Sequence, residues 1–440
     1  MPTRAYRWVL YRRLRGIVGP DARLEARPMM LNSALRADLL VTHADVLYSC
    51  AEGLPDLGRQ EDGAVAFLEG EVVYVGPASH APDADEVIDA AGLLALPGLV
   101  DPHTHAVFAG SRSDEFRRRL AGATYSEILE SGGGILHTVA HTRAADLETL
   151  AASARARLDG FLRRGVTTVE VKSGYGLNVA TELKMLEAAW ECRDTVQVVP
   201  TFLGAHTIPA ELRGDRDRYV RQIIEEQLPA VVEADLAVAC DVYCDRGAFT
   251  LDESVAILSA ARALGLGLRV HAEQVAYTGI AEAAARLGAT SADHLERIDD
   301  AGIAAMAEHQ TVAVLLPGAQ LYLRDDPPPV AALRAAGVRL ALGTDLNPGS
   351  SPIHDPWTIQ TLATLLQGFT VEEAVLGMTR NAGLALGRSD LGWLGPGSAA
   401  DLILVAPPPG EPAELSSVVQ HMGGSRVVTV VRDGTVVLGG

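Results

Sequence analysis

The feature that most constrains this chain is a long middle stretch in which short apolar runs alternate with amphipathic helical ones. Candidate strands are Leu99–Val107, Thr167–Lys172, Val196–His206, Ala239–Cys244, Leu268–Glu273, Thr290–His294, Thr311–Leu316 and Arg339–Asp345. Stretches such as LETLAASARARLDGFLRRG, TGIAEAAARLG and VAALRAAG separate most of them, with apolar residues at helical spacing. Eight strands with intervening helices over roughly 250–290 residues is the count for an α/β fold of the (β/α)8 TIM-type barrel class. A doubly wound sheet is the competing architecture, but no G-x-G-x-x-G follows an early strand. In a barrel the chemistry belongs at the C-terminal ends of the strands, so the residues of a genuine site should close strands.

Both flanks of this stretch read as short β structure. ADLLVTHADVLYS, GAVAFLEGEVVYVGP and DEVIDAAGLLALPG precede it, and ADLILVAP and SRVVTVVRDGTVVLGG follow it. The Glu69-Gly70-Glu71 step separates two apolar runs as a hairpin would. The expected organisation is a composite β-sandwich domain from residues 37–97 and 386–440, a barrel over 98–385, and a poorly ordered extension over 1–36. Residues 1–28 carry seven Arg and two acids, a net of +5. They read either as an amphipathic targeting segment or as translation from a start upstream of Met29 or Met30. The second reading is preferred, because patterned sequence begins directly afterwards and no long apolar core of a secretory signal is present.

Charge and cysteine usage exclude several classes. With 37 Lys and Arg against 56 Asp and Glu, the net charge is −19, which argues against a nucleic-acid partner. Cys50, Cys192, Cys240 and Cys244 are too few and too scattered for a disulfide framework, which points to a reducing, cytoplasmic setting. Cys240 and Cys244 read as small buried apolar residues on a strand rather than half of a metal site. No apolar run is long enough for a membrane span. Homodimers are common among barrel enzymes, and a homodimer is compatible with this reading, but the sequence displays no interface.

The chemistry gathers where the strands end. The first closes on Asp101-Pro102-His103-Thr104-His105, and two His at i and i+2 on a strand share a face. Paired imidazoles suit a borderline divalent metal, although a satisfied pair of loop histidines has the same pattern. Company strengthens the metal reading: His206 closes the third strand, His271 the fifth, His294 the sixth and Asp345 the eighth. Chance does not readily put titratable groups at five strand ends in a chain with 12 His.

This arrangement resembles the amidohydrolase superfamily, as do the phrase ALPGLVDPHTH and the β domain built from both termini. The narrower resemblance is to the imidazolonepropionase family of histidine degradation. SGGGILHTV with Thr142-Arg143, EVKSGYGL, LGAHTIP, VYCDRGAF, HAEQ, ADHLE, AVLLPGA and TDLNPGSSP carry it in this order, over about residues 37–440. The resemblance implies one metal ion, zinc or iron, held by His103, His105, His271 and Asp345. Binuclear relatives use a bridging Lys or Glu on the fourth strand, and CDVYCDRGAF supplies no Lys. Lys172 closes the second strand and is expected to be structural or to line the pocket, and Asp245 is not expected to be a ligand.

The implied substrate is 4-imidazolone-5-propanoate, opened at its cyclic amide C–N bond to N-formimino-L-glutamate. Asp345 is then the base and proton shuttle, and His294 polarises the carbonyl oxygen. His206 and Gln274 hydrogen-bond the substrate; Gln cannot serve as a general base. Arg112, seven residues after His105, and Tyr175 meet the propanoate, and Asn347, Gly349 and Ser350 offer further donors to carboxylates. Gly132–Gly134 is either a mobile cover or a plain turn. Two alternatives compete: a deaminase or hydrolase of another cyclic amide or amidine, such as cytosine or guanine, and a catalytically silent scaffold. Arg112 with Tyr175 disfavours the first, since a nucleobase has no carboxylate, and the complete ligand set disfavours the second.

Overall fold

A computed structural model describes residues 36–122, 133–423 and 426–439. The Arg-rich first 28 residues and Gly132 lie outside the described residues. The described residues divide into two compact units, one drawing on 36–98, 387–418 and 426–439, the other on 99–122, 133–386 and 419–423.

The first unit opens with β1 (Ala37–Tyr48), β2 (Arg59–Leu68), β3 (Glu71–Pro77), β4 (Ala84–Asp89) and β5 (Leu94–Pro97). The second holds β6 (Leu99–Asp101), β7 (Val166–Lys172), β8 (Gln197–Ala205), β9 (Ala239–Cys244), β10 (Gly267–Ala272), β11 (Ser291–His294), β12 (Val312–Leu315) and β13 (Leu340–Leu342). The chain returns to the first unit with β14 (Leu402–Val405), β15 (Val427–Arg432) and β16 (Thr435–Leu438).

In the first unit β1 is the organising strand. Its register shifts between Val41 and Ala44, where His43 takes φ +58°. The kink lets its first half pair with β4 and its second half with β5, both in parallel. Two antiparallel hairpins flank it. Glu69-Gly70 (φ +51°, +76°) joins β2 to β3 and Asp433-Gly434 (φ +49°, +73°) joins β15 to β16. Two successive left-handed residues suit the right-handed twist of a tight hairpin, which is why the second is glycine in both. The sheet order β16-β15-β14-β5-β1-β2-β3 interleaves the two termini. It carries two buried clusters, a larger one in which Leu39, Val41, Val65 and Phe67 meet Leu402, Leu404 and Val431, and a smaller one of Ala37, Leu40, Ala64 and Ala66.

The second unit is a parallel barrel whose eight strands lie in sequence order, β6 to β13. The strands are almost wholly buried, as VAVL and LAL in β12 and β13 require when helices cover the outer face. The helix Leu147–Leu162 shows how the cover is built. Asp146 caps it by accepting from the Thr149 amide at 2.8 Å, and Leu150, Ala154, Leu158 and Phe161 line one buried stripe. Each large side chain in such a stripe contributes about 1.5–3 kcal/mol by burial.

The first strand is shorter than its apolar run suggests, since the ladder stops at Asp101 because Pro102 has no N–H to donate. Regular pairing of the last strand likewise ends at Leu342. Beyond these points the two segments still close the barrel, through Asp345 N–H to His103 O at 3.0 Å and His105 N–H to Leu346 O at 2.9 Å. His103, His105 and Asp345 therefore sit on a parallel pair of strand extensions that hold one another in place. Among the described residues, no helix is long and apolar enough to cross a membrane.

Candidate functional site

His103, His105 and His271 converge at the C-terminal end of the barrel, offering ring nitrogens that all lie within 4.8 Å of one another. His103 Nδ1–H donates to Asp293 Oδ2 at 2.6 Å and His271 Nδ1–H to Asp241 Oδ1 at 3.0 Å. In both rings this leaves the Nε2 lone pair for the centre. His103 Nε2 is buried with no hydrogen-bond partner, and His271 Nε2 faces His105 Nε2 at 3.4 Å. Asp345 Oδ1 lies 3.6 Å from Nε2 of both His103 and His105. Lone pairs aimed at one point in a buried space repel unless a cation lies between them, so this donor set fits a metal ion. Burial holds His103 and His105 well below the ordinary imidazole range, which keeps both neutral and able to ligate. Burial pushes the Asp345 carboxyl up to about 7, the direction a nearby cation would reverse.

Beneath the histidines lies a buried ionic network. Lys172 Nζ is 2.7 Å from both Asp241 Oδ2 and Glu170 Oε2 and 3.7 Å from Asp293 Oδ2. Glu170 Oε1 in turn accepts from Arg269 at 2.8 Å and from Thr201 Oγ1 at 2.5 Å. Burial alone would depress Lys172, but Asp241, Glu170 and Asp293 reverse this and hold its ammonium above the usual lysine range. Burial would likewise raise Asp241, yet His271 and Lys172 hold it well below the carboxylate range.

His294 ends β11 in a way that strand geometry alone would not allow. Alternation along the strand would send its side chain away from the face that Asp293 uses. Left-handed backbone at His294 (φ +79°) and Leu295 (φ +72°) turns the ring inward, with its centroid 5.5 Å from His271 and 5.8 Å from His103. Such backbone costs of order 1–3 kcal/mol per residue and characteristically collects at functional sites. His294 Nδ1 is buried without a partner, and Glu296 Oε2, also unpartnered, lies 3.9 Å away. Burial pushes Glu296 up to about 8.

The wall beside His105 is aromatic. His206 stacks on it with centroids 5.0 Å apart and an interplanar angle of 16°, and Tyr175 lies 5.8 Å from His105 and 5.3 Å from His206. Burial pushes His206 down to about 3, so it is neutral. Glu182 positions the Tyr175 loop by accepting from the amides of Gly174, Gly176 and Leu177 at 2.6–2.9 Å. Gly174 has φ +106°, and a Cβ there would lie 2.9 Å from His206 Nδ1, so glycine is required. Gln274 Oε1 accepts from the Tyr243 hydroxyl at 3.0 Å, and Tyr243 packs against His271.

Arg112 sits on the Asp345 loop rather than on the histidines. Its Nε and Nη2 fork onto Glu115 at 2.9 and 2.6 Å, while its Nη1 side presses on Gly349, where a Cβ would lie only 2.0 Å from Nη1. Asn347 shapes that loop. Its Oδ1 accepts from the amides of Gly349 and Ser350, and its Nδ2 donates to Asp345 O at 2.7 Å. Gly134 (φ +76°) donates its amide to Glu115 Oε2 at 3.0 Å, tying the described end of the glycine run to the Arg112 clamp. Asp245 faces elsewhere and accepts from the amides of Arg246, Val275 and Ala276, pinning the loop after β10.

Sequence reasoning missed Glu170, Asp241, Asp293 and Arg269, as well as Glu115 and Glu182. For the first four a signal existed, since each is a charge inside a buried barrel strand and must find a partner there. Glu115 and Glu182 lie on helices, where an acid is unremarkable.

The amidohydrolase family profile matches residues 94–437. Curated relatives named imidazolonepropionase include one from Caulobacter vibrioides, 50% identical over 81% of this chain and 91% of its own length. Relatives of the same name from Bradyrhizobium sp. and Xanthomonas oryzae are 47% and 48% identical over 83% and 82% of this chain and 92% and 93% of theirs. Among solved structures, an adenosine deaminase from Xanthomonas campestris with bound zinc aligns at TM-score 0.69 and 20% identity, over 92% of this chain and 93% of that one. A triazine hydrolase from Arthobacter aurescens aligns at TM-score 0.73 and 18% identity, over 91% of this chain and 94% of its own. At such identities the likeness is one of fold.

Proposed function

This chain belongs to the amidohydrolase family and within it to the imidazolonepropionases, and from that premise we propose how its site opens a cyclic amide. It is a hydrolase of histidine degradation that acts on the ring C–N bond of 4-imidazolone-5-propanoate and releases N-formimino-L-glutamate. The observation that carries this reading is identity near 50% to imidazolonepropionases over more than four-fifths of the chain. The convergent histidines supply the matching chemistry. The nucleobase reading is not favoured, because the relatives near 50% identity are imidazolonepropionases and a nucleobase has no carboxylate for Arg112 and Tyr175 to receive.

His103, His105, His271 and Asp345 are the residues that would hold one zinc or iron ion, a nitrogen-rich set suited to either. When bound, such an ion provides Lewis acidity and makes water nucleophilic near neutral pH. A second ion bridged by a carboxylated lysine is disfavoured, since the Lys172 amine is already a cation between two carboxylates. Asp345 takes the proton of the attacking water and passes it to the departing ring nitrogen. His294, neutral and with a free ring nitrogen in the site, polarises the carbonyl oxygen. The His206 ring, with Nδ1 held by Gly174 O at 3.1 Å, presents its other nitrogen to the substrate. Gln274 bonds the ring, and Tyr175 with Arg112 receives the propanoate. Asn347, Gly349 and Ser350 supply further donors to the carboxylates.

The test is direct. Urocanase converts urocanate to the imidazolone, the protein is added, and decay of the ring chromophore is followed with and without a chelator. Acceleration that the chelator abolishes and zinc restores is the expected result; no acceleration by the metal-supplied protein would overturn the reading.

A further inference from the structure

The geometry points to Lys172 as the positioning residue that fixes two of the three metal-binding histidines at once. The inference rests on the reading of His103, His105 and His271 as metal ligands. Lys172 touches none of them. Its Nζ contacts Asp241 Oδ2 at 2.7 Å, while Asp241 Oδ1 accepts from both His271 Nδ1 and the His271 backbone amide. On its other side it lies 3.7 Å from Asp293 Oδ2, the oxygen that accepts from His103 Nδ1 at 2.6 Å. Glu170 Oε2, at 2.7 Å, anchors the ammonium from below, and Ser291 Oγ fixes the far oxygen of Asp293 at 2.6 Å.

A ligating imidazole must direct its lone pair at the metal, and a carboxylate behind the other nitrogen sets that orientation. Two such carboxylates face the same space here and repel each other. In a site this deeply buried, a shared cation is what holds both in place as acceptors. Lys172 is fully buried and is the only lysine within the strands β7 to β11 themselves. It is thus the common support of His103, on the extension of β6, and His271, on β10. This accounts for the lysine of the KSGYGL phrase, which the hydrolytic steps leave unused.

A purely structural lysine would also sit among buried acids, so the test separates the two roles. Zinc affinity is measured by competition with a chromophoric chelator, and the melting temperature is measured on the metal-free protein. Lys172→Met should weaken zinc binding about 10- to 100-fold, the range typical for lost outer support of ligands. Arg269→Met removes a neighbouring buried cation whose partners are Glu170, Thr201 and Leu386, none of which touches a histidine. It should lower the melting temperature but leave the zinc affinity within about threefold of wild type, a margin below the outer-support range. If Lys172→Met does not fold, Lys172→Met with Glu170→Gln keeps the buried charge balanced and should show the same loss of affinity. A folded lysine variant with wild-type zinc affinity, or an equal loss in the Arg269 variant, overturns the assignment. Wild-type protein that binds no zinc would instead defeat the metal-site reading beneath it.

Discussion

Gly349→Ala is the sharpest probe of how the substrate's carboxylate is recognised. The backbone at Gly349 lies outside the left-handed region, so alanine is conformationally permitted and the only obstacle is steric. The new Cβ would lie 2.0 Å from Arg112 Nη1 and 2.6 Å from Cζ, so the guanidinium must withdraw by more than about 1 Å to reach ordinary contact. Glu115 grips the other edge of the fork at 2.6 and 2.9 Å, so Arg112 withdraws only by rotating as a unit. For the fold this is a small cost, since the tip of a long side chain moves. For recognition it removes a charge-assisted interaction of about 1.5–3 kcal/mol, which corresponds to roughly 10- to 150-fold in affinity. Steady-state kinetics on enzymatically generated imidazolone should show KM raised about 10- to 100-fold, with kcat within about threefold, as expected when binding is lost equally from ground and transition states. The melting temperature should fall by no more than about 2 °C, since tip displacement costs well under 1 kcal/mol. Arg112→Ala should raise KM at least as far, and the double variant should be no worse than Arg112→Ala alone, because both changes act through one group. If Arg112→Ala and Gly349→Ala both keep the wild-type KM, Arg112 does not receive the carboxylate.

Three further outcomes are expected. Burial pushes Glu296 up to about 8 from an ordinary value of 4.5, so between those values the native state keeps a proton that the unfolded chain has lost, and stability falls as pH rises through that window. Glu296→Gln removes this slope, and its stability advantage in urea titrations should grow from pH 4.5 to 8; parallel curves for the two proteins would refute the burial argument. Asp245→Ala strands the amides of Arg246, Val275 and Ala276 and should cost about 2–4 kcal/mol while metal content stays at the wild-type level; lost metal without lost stability would make Asp245 a ligand. Zinc added to stripped protein at 100 times its dissociation constant should raise stability by about 2.7 kcal/mol. A His105→Ala variant should lose most of that gain, and an undiminished shift would place the ion elsewhere.

How far the sequence reveals this molecule depends on how local each physical signal is. The barrel is legible because parallel strands buried on both faces read mostly as short apolar runs, and the helices that cover them show apolar stripes of their own. The histidines and Asp345 are legible because chemistry in a barrel is confined to strand ends, and few residue types can work there. The clamp of Arg112 against Gly349 is not legible: two loops far apart in sequence meet through a contact defined by a missing Cβ, which leaves no periodicity. Strand lengths fall between these cases. Pro102 could have marked the end of the first ladder, since it has no N–H to give. The ionic network is the instructive case, because parity alone reaches most of it. Arg269 and His271 are two apart on β10 and share a face, and the parallel register sets Asp241 beside Arg269. Glu170 and Lys172 are likewise two apart on β7 and point into the same interior. Four adjacent interior strands thus carry charge or its partner, Thr201 on β8 included, and charges buried there have only one another to pair with. Taken as a group rather than one at a time, the buried charges lead from KSGYGL to the underside of the histidine cluster by parity alone.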